Sequence, residues 1–180
     1  IQFLNFYKMK LKLRYFLFIS IIIRQSLAQV ITFENTFGGS EWSGGSGEDG
    51  GYSVVQTHDG GYIVAGFTES YGAGNGDALI LKTNKYGDSL WSKTYGDVYN
   101  DALFSVDETN DSGYIFCGSY TNNSAERIMY LIKTDFNGDS IWTKKYRISN
   151  YCILQSVKQT TDGGYIIAGY GREPVDMKYF

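Results

Sequence analysis

The chain has 180 residues, with 22 glycines, 16 tyrosines, 11 phenylalanines, one proline and a net charge of −3. That length allows one domain with a sizeable core, and the glycine and aromatic usage suits short strands joined by tight turns. The basic residues gather near the N-terminus and leave the remainder more acidic still, which argues against nucleic acid as a partner because phosphate binding needs a basic face.

Lys8, Lys10, Lys12 and Arg14 precede an apolar run over residues 15–23 that only Ser20 interrupts. Ser26 and Ala28 then set small side chains before Gln29, in the pattern of a cleavage point. This is the layout of a secretory signal peptide, assigned to residues 1–28, with Met9 as the natural initiator and residues 1–8 upstream of it. The apolar run is well short of the ~18 residues that suggest a spanning helix. The expected location is therefore secreted or cell-surface, with no membrane span once the signal is cleaved. Arg24 in the cleavage region leaves an uncleaved anchor as the alternative.

Residues 29–180 carry a repeat. Residues 30–37 (VITFENTF) run into Thr36-Phe37-Gly38, matching Thr94-Tyr95-Gly96, and so resemble the last strand of a unit without the three before it. Residues 38–51 (GGSEWSGGSGEDGG) read as a Gly/Ser-rich, mobile insertion with Trp42 exposed. The units themselves span about 53–95, 105–146 and 156–180. Asp59, Asp111 and Asp162 are 52 and 51 residues apart, and Trp91 and Trp142 are 51 apart. A fixed period of this size marks stacked repeats.

Each unit reads as four short strands, in the first unit residues 53–57, 62–67, 78–83 and 89–95. They are rich in Val, Ile, Tyr, Trp and Thr and bounded by Gly, Asn and Asp clusters. Asp59-Gly60-Gly61 and its equivalents supply tight turns, since glycine accepts positive φ. Four antiparallel strands per ~50 residues predict an all-β chain of β-propeller blades, with about two and a half present. This ranks above a solenoid, whose coils are usually shorter, and above a sandwich, which would not repeat. Ala65, Cys117 and Ala168, each followed by glycine, are expected to let neighbouring blades approach closely, and Trp91 and Trp142 to dock on an adjacent strand or blade. Propellers close with about 4–8 blades, so the remaining blades are expected elsewhere in a longer chain.

With Trp91-Ser92-Lys93-Thr94-Tyr95-Gly96, Asp59-Gly60-Gly61-Tyr62 and Leu131-Ile132-Lys133-Thr134-Asp135 in view, residues 32–180 resemble the propeller-like repeats of secreted bacterial proteins. Many members of that group end in a type IX secretion sorting domain, and this sequence contains none. The resemblance implies extracellular, repeat-built binding or scaffold proteins.

Reaction chemistry is hard to find. Gly45, Gly47 and Gly50 match the letters of a dinucleotide fingerprint, but they neither follow a strand nor open a helix, as that chemistry requires. Asp135, Asn137 and Asp139 space oxygens as a calcium loop does, but the glycine falls at the fourth position and no glutamate follows at the twelfth; a turn is the expectation. His58, the sole histidine, has Asn110 and Thr161 as equivalents and fills a turn. Cys117 replaces a small buried alanine. If the chain is exported, a Cys117–Cys152 bridge and two free thiols are both open.

No catalytic residue, cofactor or metal site is assigned. The loops between second and third strands differ most between units, and variable loops on one face of a repeat array are the usual binding surface. Tyr71, Asn75, Tyr120 and Asn122 are the candidate contacts there, for a glycan or an extracellular protein. The leading expectation is a non-enzymatic binding, adhesion or scaffold module. The alternative is a supporting part of a larger extracellular hydrolase or lyase whose site lies elsewhere.

Overall fold

The structure, a computed structural model, describes residues 35–38 and 47–172. The signal-peptide reading, Trp42 and Gly45 of the insertion, and the third strand of the last unit lie outside those residues. The described part is all-β and contains no helix.

Among the described residues ten strands form three antiparallel sheets, and within each sheet every strand pairs with the next in sequence. The first sheet is β1 (Asp49–Gln56), β2 (Tyr62–Thr68), β3 (Asp77–Thr83) and β4 (Ser89–Tyr95). The second is β5 (Ala102–Glu108), β6 (Tyr114–Thr121), β7 (Arg127–Thr134) and β8 (Ser140–Tyr146). The third holds β9 (Cys152–Gln159) and β10 (Tyr165–Gly171). The strands match the sequence reading except at the start of each unit, which begins at Asp49, Ala102 and Cys152 rather than at residues 53, 105 and 156. Gly50 and Gly51 pair with Phe67 and Gly66, and a bulge at Tyr52 separates them from the regular ladder. The same bulge recurs at Phe104 and Gln155.

That bulge explains the glycines of the second strands. A Cβ on Gly66 would collide with the Gly50 carbonyl oxygen, one on Gly118 with that of Ala102, and one on Gly169 with that of Ile153. Each of these carbonyls belongs to the first strand of the same sheet. The glycines therefore admit a partner strand within the sheet, while the small residues before them, Ala65 and Cys117, lie buried between neighbouring sheets.

The sheets stack face to face. β5 lies against β1, β2 and β3, and β9 against β5, β6 and β7. One core cluster, with Ile63, Ala65, Ile80, Leu103, Val106, Tyr114, Phe116 and Ile132, fills the space between the first and second sheets. A second, with Ile115, Cys117, Leu131, Leu154 and Val157, fills the space between the second and third. β6 sends alternate side chains into both clusters, so its central run is buried on both faces, as in a strand covered on each side. Trp91 packs on Tyr114 of the next sheet with ring centroids 6.3 Å apart, and Trp142 meets Tyr165 at 5.9 Å. Each tryptophan therefore docks on the following unit.

Candidate functional site

The strand directions sort the connections into two ends. At one end lie the β1–β2, β3–β4 and equivalent turns, and these are built from repeated parts. Asp59 accepts hydrogen bonds from the Thr57 hydroxyl and from the Gly61 amide at 2.8 Å, and it pairs with Lys82 Nζ at 2.9 Å. Lys82 is 3% exposed, and its ammonium also donates to the Thr83 carbonyl at 2.9 Å. Thr109, Asp111, Gly113, Lys133 and Thr134 reproduce the arrangement, with Lys133 Nζ 2.9 Å from Asp111. Burial disfavours ionisation of both aspartates, but the threonine, lysine and glycine donors outweigh it and hold each carboxyl at about 2. Thr160, Asp162 and Gly164 repeat the turn in the third unit.

The two residues after each of these aspartates have different tasks. Gly60 adopts φ +83° and its counterpart Ser112 adopts φ 62°, so the first position needs the left-handed conformation but not glycine itself. The second position needs the missing side chain. A Cβ on Gly61 would collide with the Thr83 carbonyl oxygen and lie 2.6 Å from Lys82 Nζ, and Gly113 stands in the same relation to Thr134 and Lys133. The Asp-x-Gly-Tyr motif is therefore the seat of a buried lysine.

The other turns at this end are closed by their own side chains. Asp135 Oδ1 accepts the amides of Asn137 and Asp139 at 2.9 and 2.8 Å, and Asn84 Oδ1 accepts those of Tyr86 and Asp88 at 2.8 and 3.0 Å. His58 donates its backbone amide to Glu108 at 2.8 Å, as Asn110 does to Gln159 at 2.8 Å. Those bonds use the backbone amide, which any residue but proline supplies, and the His58 imidazole Nδ1 also lies 2.9 Å from the Glu108 carboxylate. Cys117 and Cys152 are buried free thiols, so the bridge left open above is not formed; burial pushes the Cys117 thiol up to about 12.

The opposite end carries the variable loops. Tyr71 is 56% exposed and its hydroxyl donates to the Gly38 carbonyl at 3.3 Å. Asn75 lines an open groove of about 480 Å³ with Tyr99, Asn100, Thr121, Arg127 and Tyr151. Tyr120 sits at the end of β6, beside Tyr130, with its hydroxyl committed to Asp97 and the Lys145 ammonium 3.0 Å from its ring centroid. Asn122 is spent on its own turn: its Oδ1 accepts the Ser124 and Glu126 amides at 3.0 Å, and its Nδ2 donates to Glu126 at 2.9 Å. Of the four candidates, then, only Asn75 opens onto the groove. Tyr99, Asn100 and Tyr151 were missed because they come from the connections between units, whereas Arg127 ends the second-to-third-strand loop of the second unit and is the first residue of β7.

An acidic cluster also forms at this end. Asp77 Oδ1 and Asp101 Oδ2 both lie within 2.8 Å of the point a Gly96 Cβ would occupy. Comparing Asp77 only with its equivalent Ile128 suggests no such grouping, because Asp101 arrives from the next unit. Both carboxylates hold loop backbone. Asp77 accepts the Ala73 and Gly74 amides at 3.0 Å, and Asp101 accepts those of Asp97 at 3.1 Å and Thr121 at 2.8 Å. Burial, reinforced by the charges of Asp97 and Asp77, raises the Asp101 carboxyl to about 6 despite its amide partners. Among the described residues no group of His, Cys, Asp and Glu is arranged to hold a metal ion, and no helix is long and apolar enough to cross a membrane.

These features describe a repeat-built antiparallel β protein with turn hardware at one end and a polar groove at the other. No protein-family model and no curated protein matches the chain.

Proposed function

We propose that the stacked sheets are blades of a β-propeller and that the chain is an exported, non-enzymatic binding module. The observation that carries the binding reading is the groove at Asn75, Tyr99, Asn100, Arg127 and Tyr151, which is built on connections that differ between units.

The propeller reading draws on the contacts between units. β4 reaches the next sheet through Lys93 to Asp139 and through the Tyr95 hydroxyl to the Gly138 carbonyl. Asn35 makes the corresponding contact to the first sheet, donating to the Gly87 carbonyl at 2.8 Å. Residues 35–38 thus stand where the outer strand of a preceding blade would stand, in keeping with a leading strand that completes the last blade of a ring. The resemblance to propeller-like repeats of secreted bacterial proteins, and the signal-peptide pattern of residues 1–28, point to the same class and to a secreted or cell-surface location.

The alternative, a supporting part of a hydrolase or lyase, draws on the Asp77–Asp101 pair. Both carboxylates are already committed to backbone amides, which favours binding. The test is to express the chain with its N-terminal segment in a bacterial host, locate it by fractionation, and screen the exported product on arrays of glycans and extracellular proteins. Export, with a ligand whose binding Tyr151→Ala removes, is the expected result. Retention in the cytoplasm, or binding indifferent to the groove, would overturn the proposal.

A further inference from the structure

The groove has a chemical bias that narrows its ligand, an inference that rests on the binding reading just given. Seven residues line it, and Arg127 is the only one of them that carries a charge, in a chain whose net charge is −3. The Arg127 guanidinium is held by Tyr151: its carbon lies 5.5 Å from the ring centroid, and one terminal nitrogen donates to the Tyr151 hydroxyl at 3.4 Å. Arg172 brings a second guanidinium to 4.6 Å from the same centroid. Guanidinium has five N–H donors, and among the described residues neither arginine forms an ion pair with a carboxylate. The neighbouring Arg147, by contrast, is bound to Glu126 and Asn150. Arg127 thus has donors to spare beside Tyr151, and a single guanidinium fork suits a planar carboxylate or a sulfate in bidentate fashion, with Arg172 adding positive charge at the same ring.

The rest of the lining matches sugar hydroxyls better than peptide side chains. The side-chain amides of Asn75 and Asn100 bond to no described residue, Tyr99 adds an aromatic ring, and Ala125 is the only aliphatic lining residue. Asn100 and Arg127 also line a second, smaller cavity of about 190 Å³. Glu69 and Asp101 line that second part, so the acidic group belongs on the Tyr151 side of Arg127. We propose that this groove binds an acidic polysaccharide, its carboxylate or sulfate held by Arg127 beside Tyr151, with Arg172 adding positive charge at the same ring.

Affinity electrophoresis of the full chain through gels containing alginate, dextran or polyglutamate tests this. Alginate should retard the protein in a salt-sensitive manner, dextran should not, and polyglutamate should act far more weakly. Arg127→Gln and Arg172→Gln should each weaken alginate binding about tenfold, and Arg127→Lys should restore only part of it. The backbone bridge at Arg127, which recurs at Gly76, does not involve its side chain, so circular dichroism should show both glutamine variants folded. Equal retardation by polyglutamate, or alginate binding unchanged in both glutamine variants, would overturn the inference. Retardation by dextran that Tyr151→Ala removes would also overturn it, while leaving the binding-module reading in place. Binding of none of the three probes, alongside an array protein captured through Tyr151, would do the same.

Discussion

Removing Asp111 isolates the energetics of the buried lysine. In Asp111→Ala the Lys133 ammonium, on a residue 3% exposed, keeps only the Thr134 carbonyl as a described partner. Breaking one side of a buried pair costs about 3–5 kcal/mol. The Asp111 side chain is itself 58% exposed, so water can enter the vacated place and about 2–3 kcal/mol is the better expectation. With a urea dependence of about 2 kcal/mol per molar, the unfolding midpoint should fall by about 1–1.5 M. Lys133→Met keeps the apolar stem and removes the charge, at about 1 kcal/mol. The double variant leaves no buried charge, so it should be more stable than Asp111→Ala alone, with a coupling near 2 kcal/mol. Asp162→Ala makes the same turn change where no described lysine reaches the carboxylate, and it should have the smaller effect. An Asp111→Ala variant within about 0.5 kcal/mol of the parent, or a double variant no better than it, would refute the reasoning.

Two further predictions concern the same architecture. Gly113→Ala forces a methyl against the Thr134 carbonyl and the Lys133 ammonium, so thermal unfolding should show a loss of at least about 1–3 kcal/mol, whereas Ser112→Gly should be nearly neutral or mildly stabilising. Stability should also vary with pH in two opposed windows, read from urea midpoints. The depressed carboxyls of Asp59 and Asp111 contribute stability that is complete above about pH 4 and lost as pH falls toward 2. Asp101, held near 6, binds its proton more tightly in the folded state, so its contribution is present below about pH 4 and lost as pH rises through 6. Asp101→Asn should remove the upper window and leave the lower one.

The strands and turns were legible because period, β-branched content and glycine position all pointed to the same units. Strand ends were legible to within a residue wherever a turn residue marked them, and missed at Asp49, where glycine-rich sequence that reads as loop pairs across a bulge. Lys82 and Lys133 look like ordinary strand lysines. Their burial follows only once Asp59 and Gly61, or Asp111 and Gly113, are seen to close over them, although the joint recurrence of Asp-x-Gly and Leu/Ile-Lys-Thr was a signal available in the letters. The groove was less legible. Its charge sits at the last residue of a second-to-third-strand loop, which the structure makes the first residue of β7, and Tyr151 comes from a connection between units. A comparison made position by position within repeats cannot reveal a site that spans two of them.

The bonds that join the sheets share an arithmetic. His58 reaches Glu108 across 50 residues, Asn110 reaches Gln159 across 49, and the Gln159 amide reaches back to Asp107 across 52. These three bonds span about one period, and the turn contact that joins the first unit to the second is used again between the second and the third. Unequal recombination that inserts or deletes one whole unit would keep the recurring turn amide facing an equivalent acceptor. Copy number in such a gene can drift by integers at little structural cost, whereas a slip by any other length severs every link at once.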